Sequence, residues 1–358
     1  MKAEENMIEE KTRGQLVWDS FKPYILALII AFGVSGVIIG LLGYNVLKAY
    51  QTLLLTSFTS QRGIVETLKK FIPLTFATYA FAIPFKIRFF NIGGWGQMLF
   101  GGIFTAIVGL ALSGLNLPAL IFIPILIIVA MAAGAFLALI AGALKAYYNI
   151  NPIISTIMLN FIAFYSVNFV ATTEPWKAPL SGHPMTIKLP DAAILPKMFQ
   201  ELHIGIFVVF IVIFLIYFLM NKTVLGYEIK ATGMNPDAAS VYGIKMKRTL
   251  MLTFMIAGAM AGLGGGIEVM GVHQRLIEGF ALTSGAQYGI FGILTALICQ
   301  GNPLGVPLSS IFISILLVGA DAMQRTLQVP VELVFLTQAL IVLLIVVLRR
   351  KAGGGYIE

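Results

Sequence analysis

Charge is scarce in this sequence. Asp, Glu, Lys and Arg supply 11% of its 358 residues, against roughly a quarter in an ordinary soluble domain. Hydrophobic residues supply 58%, and the mean hydropathy is +0.92. That balance excludes a soluble globular enzyme and points to a membrane protein. A single cysteine, Cys299, excludes an intrachain disulfide framework. Three scattered histidines, His183, His203 and His273, leave no His-rich metal cluster, and no metal site is expected. No G-x-x-x-x-G-K-[ST] occurs, so the chain does not grip ATP through a P-loop, and no H-E-x-x-H occurs either. The net charge of +8 would suit a nucleic acid, but the basic residues flank apolar runs, so topology explains them and no nucleic-acid partner is expected.

What is abundant is apolar sequence in long runs. They cover 24–43, 71–85, 94–112, 118–142, 153–173, 204–220, 249–267, 284–299, 303–320 and 331–348. The reading is an all-α integral membrane protein of about ten transmembrane helices, with the bilayer as its solvent. Several runs are shorter than the roughly 20 residues that cross a bilayer. The 284–299 run is either a full span or a half-helix. The polar, acidic opening MKAEENMIEEKTRGQ lacks the basic start of a signal peptide, and no cleavage site follows 24–43, so that run is read as a retained first helix.

Placing both termini in the cytoplasm puts 15 of the 24 basic residues inside, as the positive-inside rule favours. Residues 1–23 then form a cytoplasmic segment, 24–348 the transmembrane domain and 349–358 a cytoplasmic tail. The largest cytoplasmic loop is 221–248. Loops 44–70 and 174–203 lie outside. In the first, Leu47, Leu54 and Phe58 recur at helical spacing, which allows a surface-lying amphipathic helix. The second, with five prolines, is a docking loop or a connector.

None of the ten runs holds a charge in its interior; Glu332 starts the last and Glu268 falls just past the seventh. Ion-coupled transporters usually bury acidic, basic or His residues. A transport role with energy supplied from elsewhere fits these absences, the alternative being an ion-gradient-driven secondary transporter of a small uncharged solute. The seventh run, FMIAGAMAGLGGGIEVMG, is rich in glycine: Gly258 and Gly262 form a GxxxG pair continued by Gly264, Gly265 and Gly266. Small residues let helix backbones approach closely, either for static packing or for a mobile gate.

One polar stretch interrupts the oil, TGMNPDAASVYGIKMKR at 232–248. Asn235 suits an N-cap, Pro236 the first helical position, and Asp237 the first turn; Gly243 is the stop. A helix of about two turns is too short to stand alone. It needs a surface to lie on, either its own chain or a partner.

Six motifs in order carry a family resemblance: FNIGGWGQMLFGGI (90–103), LKAYYNINPIISTIMLNFIA (144–163), GYEIKATGMNPDAASVYGIKMKR (226–248), AGAMAGLGGGIEVMGVHQRL (257–276), YGIFGILTALICQGNPLGV (288–306) and ADAMQRTLQVPVEL (320–333). Together they resemble the permease subunits of bacterial ATP-binding-cassette importers, in the branch serving nucleosides and simple sugars that is related to ribose and branched-chain amino acid permeases. Two positions depart from the pattern. Trp95 stands where an acidic residue is common, and Gln300 stands near a common glycine.

The resemblance implies a non-enzymatic subunit of a bacterial cytoplasmic membrane importer that binds no cofactor itself. ATP and Mg would sit on a partner ATPase. A second permease subunit would complete the pathway, in a heterodimer or a homodimer, and an extracytoplasmic binding protein would deliver a nucleoside or a ribose-like sugar. It also makes 235–243 the segment that docks on the ATPase, through Asn235, Pro236, Asp237, Ala238, Ala239, Val241, Tyr242 and Gly243.

An uncharged solute needs amides, hydroxyls and flat surfaces. The candidates at membrane depth are Gln97, Asn160, Phe164 and Asn168, the last three on one helix face because they recur every four residues. Such a stripe faces the pathway or bonds between helices. Glu268 is an external-gate candidate or an interfacial carboxylate.

Overall fold

The structure is a computed structural model that describes residues 13–179, 182–281 and 285–351. Helices dominate: α1 (Arg13–Leu41), α2 (Val46–Thr59), α3 (Gln61–Phe85), α4 (Gly94–Ala111), α5 (Ala119–Tyr148) and α6 (Pro152–Thr172) come first. A short antiparallel pair follows, β1 (Lys197–Phe199) and β2 (Leu202–His203). Then come α7 (Gly205–Lys222), α8 (Val224–Met234), α9 (Pro236–Val241), α10 (Met246–Glu268), α11 (Gly285–Ile298), α12 (Gly305–Leu327) and α13 (Val331–Lys351). The chain is an all-α membrane protein, as its composition requires.

Eight of these helices are long and apolar enough to cross a membrane: α1, α4, α5, α6, α7, α10, α12 and α13. The other two of the ten apolar runs fall on α3 and α11. The first turns of α3 carry Arg62, Glu66, Lys69 and Lys70, yet every residue from Phe71 to Pro84 is buried, so protein rather than lipid surrounds it. Helix α11 has 14 residues. At 1.5 Å per residue that is about 21 Å, short of the roughly 30 Å hydrocarbon layer. Over the described residues, the helix on the 284–299 run is therefore too short to span.

The described residues pack as two compact units, one within 53–319 and the other made of the two ends, 13–52 with 320–351. In the terminal unit α1 lies along α13. There the Ser35 hydroxyl is 2.9 Å from the Tyr50 hydroxyl, which donates to the Phe32 carbonyl.

The hub of the larger unit is α10, packed on α3, α4 and α5. Its glycines make that contact possible. A Cβ on Gly258 would stand 2.3 Å from the Gly134 carbonyl oxygen, one on Gly262 2.2 Å from that of Ala130, and one on Gly265 1.8 Å from that of Met98. Gly134 of α5 and Gly101 of α4 return the approach against Gly258 and Gly262. Close packing on three sides is what the glycine stripe provides.

The two long loops are structured. Residues 46–59 form α2, on which Leu47, Leu54, Leu55 and Phe58 are exposed while Ala49, Leu53 and Ser57 are buried. Residues 174–179 and 182–203 fold back on the helices. Ala178, Leu189, Ala193, Leu195 and Leu202 are buried, and Leu189 sits where a Cβ on Gly109 would be.

One expectation is corrected. Glu268 does not lie past the end of its span. Helix α10 runs through it into a π-helical turn, Val269–His273, so the apolar segment is Met246–His273 and the carboxylate is inside it, 2% exposed. The hydropathy run stops at 267 because the acid interrupts it, whereas the backbone does not.

Candidate functional site

Helix α9 is the short capped helix. The Asn235 side chain accepts the Ala238 N–H at 3.0 Å, Pro236 holds the first helical position, and Asp237 lies in the first turn. At the other end Gly243 takes φ +85, with Gly243 N–H donating to Ser240 and Ile244 N–H to the Ala239 carbonyl. That double bond over a left-handed glycine is a Schellman stop. The helix rests on α8 and α10. Ala239 is its inward residue, 4% exposed, and Ala238 is half-buried. Val241 and Tyr242 are 84% and 87% exposed, and Met234 just before the cap is 80% exposed. So the outward apolar edge is Met234–Val241–Tyr242, and Ala239 anchors the helix to its own chain.

Two contacts fix where this helix starts. The backbone of Gly233 meets the Lys86 carbonyl so closely that a Cβ would come within 1.8 Å, and the Arg88 guanidinium reaches the Met234 carbonyl at 3.5 Å. The turn after α3 is thereby in contact with the residues before α9.

Gln97 and Asn160 are both buried and fully engaged. The Gln97 and Asn91 side-chain amides exchange hydrogen bonds at 2.9 and 3.0 Å, and Asn91 also donates to the Ala80 carbonyl. Asn160 accepts the Gly96 N–H at 2.8 Å and donates to the Ile92 carbonyl at 3.0 Å, bolting α6 to the start of α4. Phe164 and Asn168, one and two turns further along the same face, are half-buried. Phe164 packs on Trp95 with ring centroids 5.9 Å apart, and Asn168 donates to Glu278 at 2.8 Å. The shared face is real, and it changes character along its length from amide clamp to aromatic surface.

The Trp95 indole N–H and the Nε2 atoms of His203 and His273 are buried without a hydrogen-bond partner. The histidines are far apart in sequence, but the fold brings them together at the end of α10 opposite α9. His203 packs so tightly on Gly271 that a Cβ there would lie 2.7 Å from its ring. His273 Nε2 is 3.7 Å from the Glu268 carboxylate, and its ring is 5.6 Å from that of Phe280. Burial, reinforced by the Lys69 charge, holds the His203 imidazole at a pKa of about 4. It is therefore neutral at physiological pH, and its Nδ1 accepts the Gly205 N–H. Sequence spacing held no sign of this cluster. For Trp95 the departure from the family pattern was the available signal.

The described residues thus form a multi-pass helical bundle with a capped peg. Residues 63–348 match the family described as the branched-chain amino acid transport system / permease component, and the chain belongs to that family. Among its relatives is a nucleoside ABC transporter permease protein, NupB of Lactococcus lactis subsp. cremoris, 33% identical, with 94% of this chain and 91% of the relative covered. The glucose ABC transporter permease protein TsgB13 of Haloferax volcanii is 31% identical, covering 91% and 87%. The guanosine ABC transporter permease protein NupP of Bacillus subtilis is 32% identical, covering 89% and 91%. No solved structure matches the chain. As a permease component the chain is a non-catalytic, multi-pass protein of the cytoplasmic membrane, and hydrolysis of ATP belongs to a separate subunit.

Proposed function

We propose that this chain is the membrane half of an ATP-driven importer whose solute is a nucleoside, with a ribose-like sugar as the second choice. The observation that carries the coupling part is the Met234–Val241–Tyr242 edge, an exposed apolar patch on a helix whose own caps are complete. A water-facing Tyr and Val on a peg of six residues suit a groove on a partner ATPase. The second permease subunit and the extracytoplasmic binding protein follow from the family's general organisation. Relatives named for nucleosides and guanosine support the solute.

For the pathway we assign Phe164, Asn168 and Trp95 the solute-facing surface, and Gln97 and Asn160 the frame behind it. An aromatic pair beside an unpaired indole N–H suits a flat, hydrogen-bonding, uncharged solute. Glu268 is proposed as part of the gate at the opposite end of α10 from the peg. Buried beside His273, it is also the one observation that favours ion coupling.

The test is reconstitution of the chain with its ATPase, second permease and binding protein, with nucleoside uptake and ATP hydrolysis measured together. Tyr242→Glu should abolish solute-stimulated hydrolysis and uptake while membrane insertion is retained. Ala239→Glu should instead unfold the peg itself. Uptake that continues without ATP but stops with an uncoupler would replace this reading by ion-driven transport.

A further inference from the structure

Resting on the pathway proposed above, we infer that Glu278 reads the vicinal hydroxyls of the solute's ribose, beside the Trp95–Phe164 aromatic surface. Its carboxylate is half-buried and accepts the Asn168 amide at 2.8 Å. Among the described residues that is its only side-chain hydrogen bond, and it has no ion-pair partner there. Two carboxylate oxygens offer about four acceptor positions, so most of its capacity is unspent. Glu66, Asp191 and Glu201, by contrast, each pair with a lysine, at 3.2, 3.2 and 2.6 Å. An acid whose one partner is a neutral amide keeps its charge for a donor from elsewhere.

Glu278 is also held by its backbone. Its N–H donates to the Pro184 carbonyl at 3.1 Å. Two residues earlier, the Thr186 N–H donates to the Leu276 carbonyl at 2.9 Å, and the Leu276 N–H to the Thr186 hydroxyl at 3.0 Å. An acceptor fixed before the solute arrives loses little freedom on binding.

The aromatic surface lies one helical turn away. Trp95 is gripped from two sides, by the Phe164 ring at 5.9 Å and by Gly289 of α11, where a Cβ would stand 2.6 Å from that of Trp95. Phe164 and Asn168 share one face of α6, with a rise between them of about 6 Å. That suits the step from the ring of a nucleobase to the hydroxyls of its ribose. Depth agrees with a solute site. Helix α6 starts on the peg side, where Pro152 shares a cleft wall with Arg88, and Asn168 stands about 24 Å along it. Helix α11 ends on the same side, where the Lys86 ammonium reaches the Gln300 carbonyl at 3.4 Å, and its described length extends only about 21 Å back. Backbone that leaves a helix at such depth is stable where protein covers it or a wet cavity borders it.

The chemistry favours a diol. Hydroxyls donate strong, short bonds to a carboxylate, and adjacent hydroxyls present two donors to its two oxygens. A site built to bond a hydroxyl rejects the analogue that lacks it.

The experiment uses the assembled transporter with its binding protein saturated by each solute in turn, so that the binding protein's own preference drops out. Maximal uptake of guanosine is compared with that of 2′,3′-dideoxyguanosine. Wild type should favour guanosine on the order of tenfold for each hydroxyl. Glu278→Gln should lower the guanosine rate and leave the dideoxyguanosine rate little changed, bringing the ratio down about tenfold or more. Should that variant fail to assemble, Asn168→Ala carries the test: it frees the carboxylate from its holder and should lower the same ratio severalfold. A ratio near one in wild type overturns the proposal. So does an equal fall of both rates in Glu278→Gln, the mark of a merely structural role. A sodium dependence of uptake that vanishes in Glu278→Gln would assign the carboxylate to a cation and also overturn it. Uptake of ribose without guanosine would sink the nucleoside reading alone. The ratio of ribose to 2-deoxyribose uptake then decides: lost in Glu278→Gln it supports the carboxylate, and unchanged it overturns it.

Discussion

The side-chain oxygen of Asn160 on α6 accepts the backbone N–H of Gly96 on α4 at 2.8 Å, and a Cβ on Gly96 would come within 2.6 Å of that same oxygen. The contact is both a hydrogen bond and a steric lock. Asn160→Leu would strand the Gly96 donor and the Ile92 acceptor in an apolar interior, each at about 1–3 kcal/mol. Thermal unfolding in detergent should show a loss on the order of 2–5 kcal/mol. Asn160→Asp keeps the acceptor, loses the donor to Ile92, and should lose less.

Trp95 should behave in the opposite way. Its indole N–H is buried without a partner, so Trp95→Phe removes an unmet donor while keeping an aromatic ring against Phe164. Stability should hold or rise. If the N–H meets solute during transport, KM for nucleoside should rise about tenfold, the effect of roughly 1.4 kcal/mol, with maximal ATP hydrolysis little changed. An unchanged KM would remove Trp95 from the pathway.

Gln300 and Gly301 follow one another in the left-handed region, at φ +53 and +62. A glycine at 300 would adopt that backbone without strain. Gln300→Gly should therefore stabilise the chain by about 1 kcal/mol, read as a small rise in melting temperature. Gly301→Ala should do the reverse, because its Cβ would also stand 2.9 Å from the Phe85 ring.

His203 gives the chain a pH-dependent stability. Its folded pKa lies near 4, below the ordinary value of 6.5, so the unfolded chain takes up the extra proton between those values. Its contribution is complete above pH 6.5 and is lost as the pH falls toward 4. At full extent it amounts to about 3 kcal/mol. His203→Gln should flatten the slope of melting temperature against pH in that window.

Local chemistry made part of this molecule legible in advance. The peg was readable residue by residue, because its cap, its proline and its stop glycine act on their own neighbours. The glycines of α10 announced close packing, but not that Gly134 would answer Gly258 across the interface. Asn160 and Gln97 stood out as polar residues at membrane depth. Their actual partners, a backbone amide on α4 and the side chain of Asn91, depend on how two helices cross, which no period records. Glu268 was misplaced because hydropathy marks where oil ends, and a helix can carry an acid onward under cover of protein. The pairing of His203 with the Glu268 end of the bundle spans most of a helix hairpin in sequence and leaves no local trace.

Only Ile244 and Lys245 separate the end of the Gly243 turn from α10. That helix has 23 residues, a rod of about 35 Å. Its glycine contacts hold backbone against backbone, with almost no side-chain cushion to absorb movement. On the coupling proposed above, a thrust delivered at Tyr242 would pass directly into this tightly held rod, at whose far end Glu268 lies.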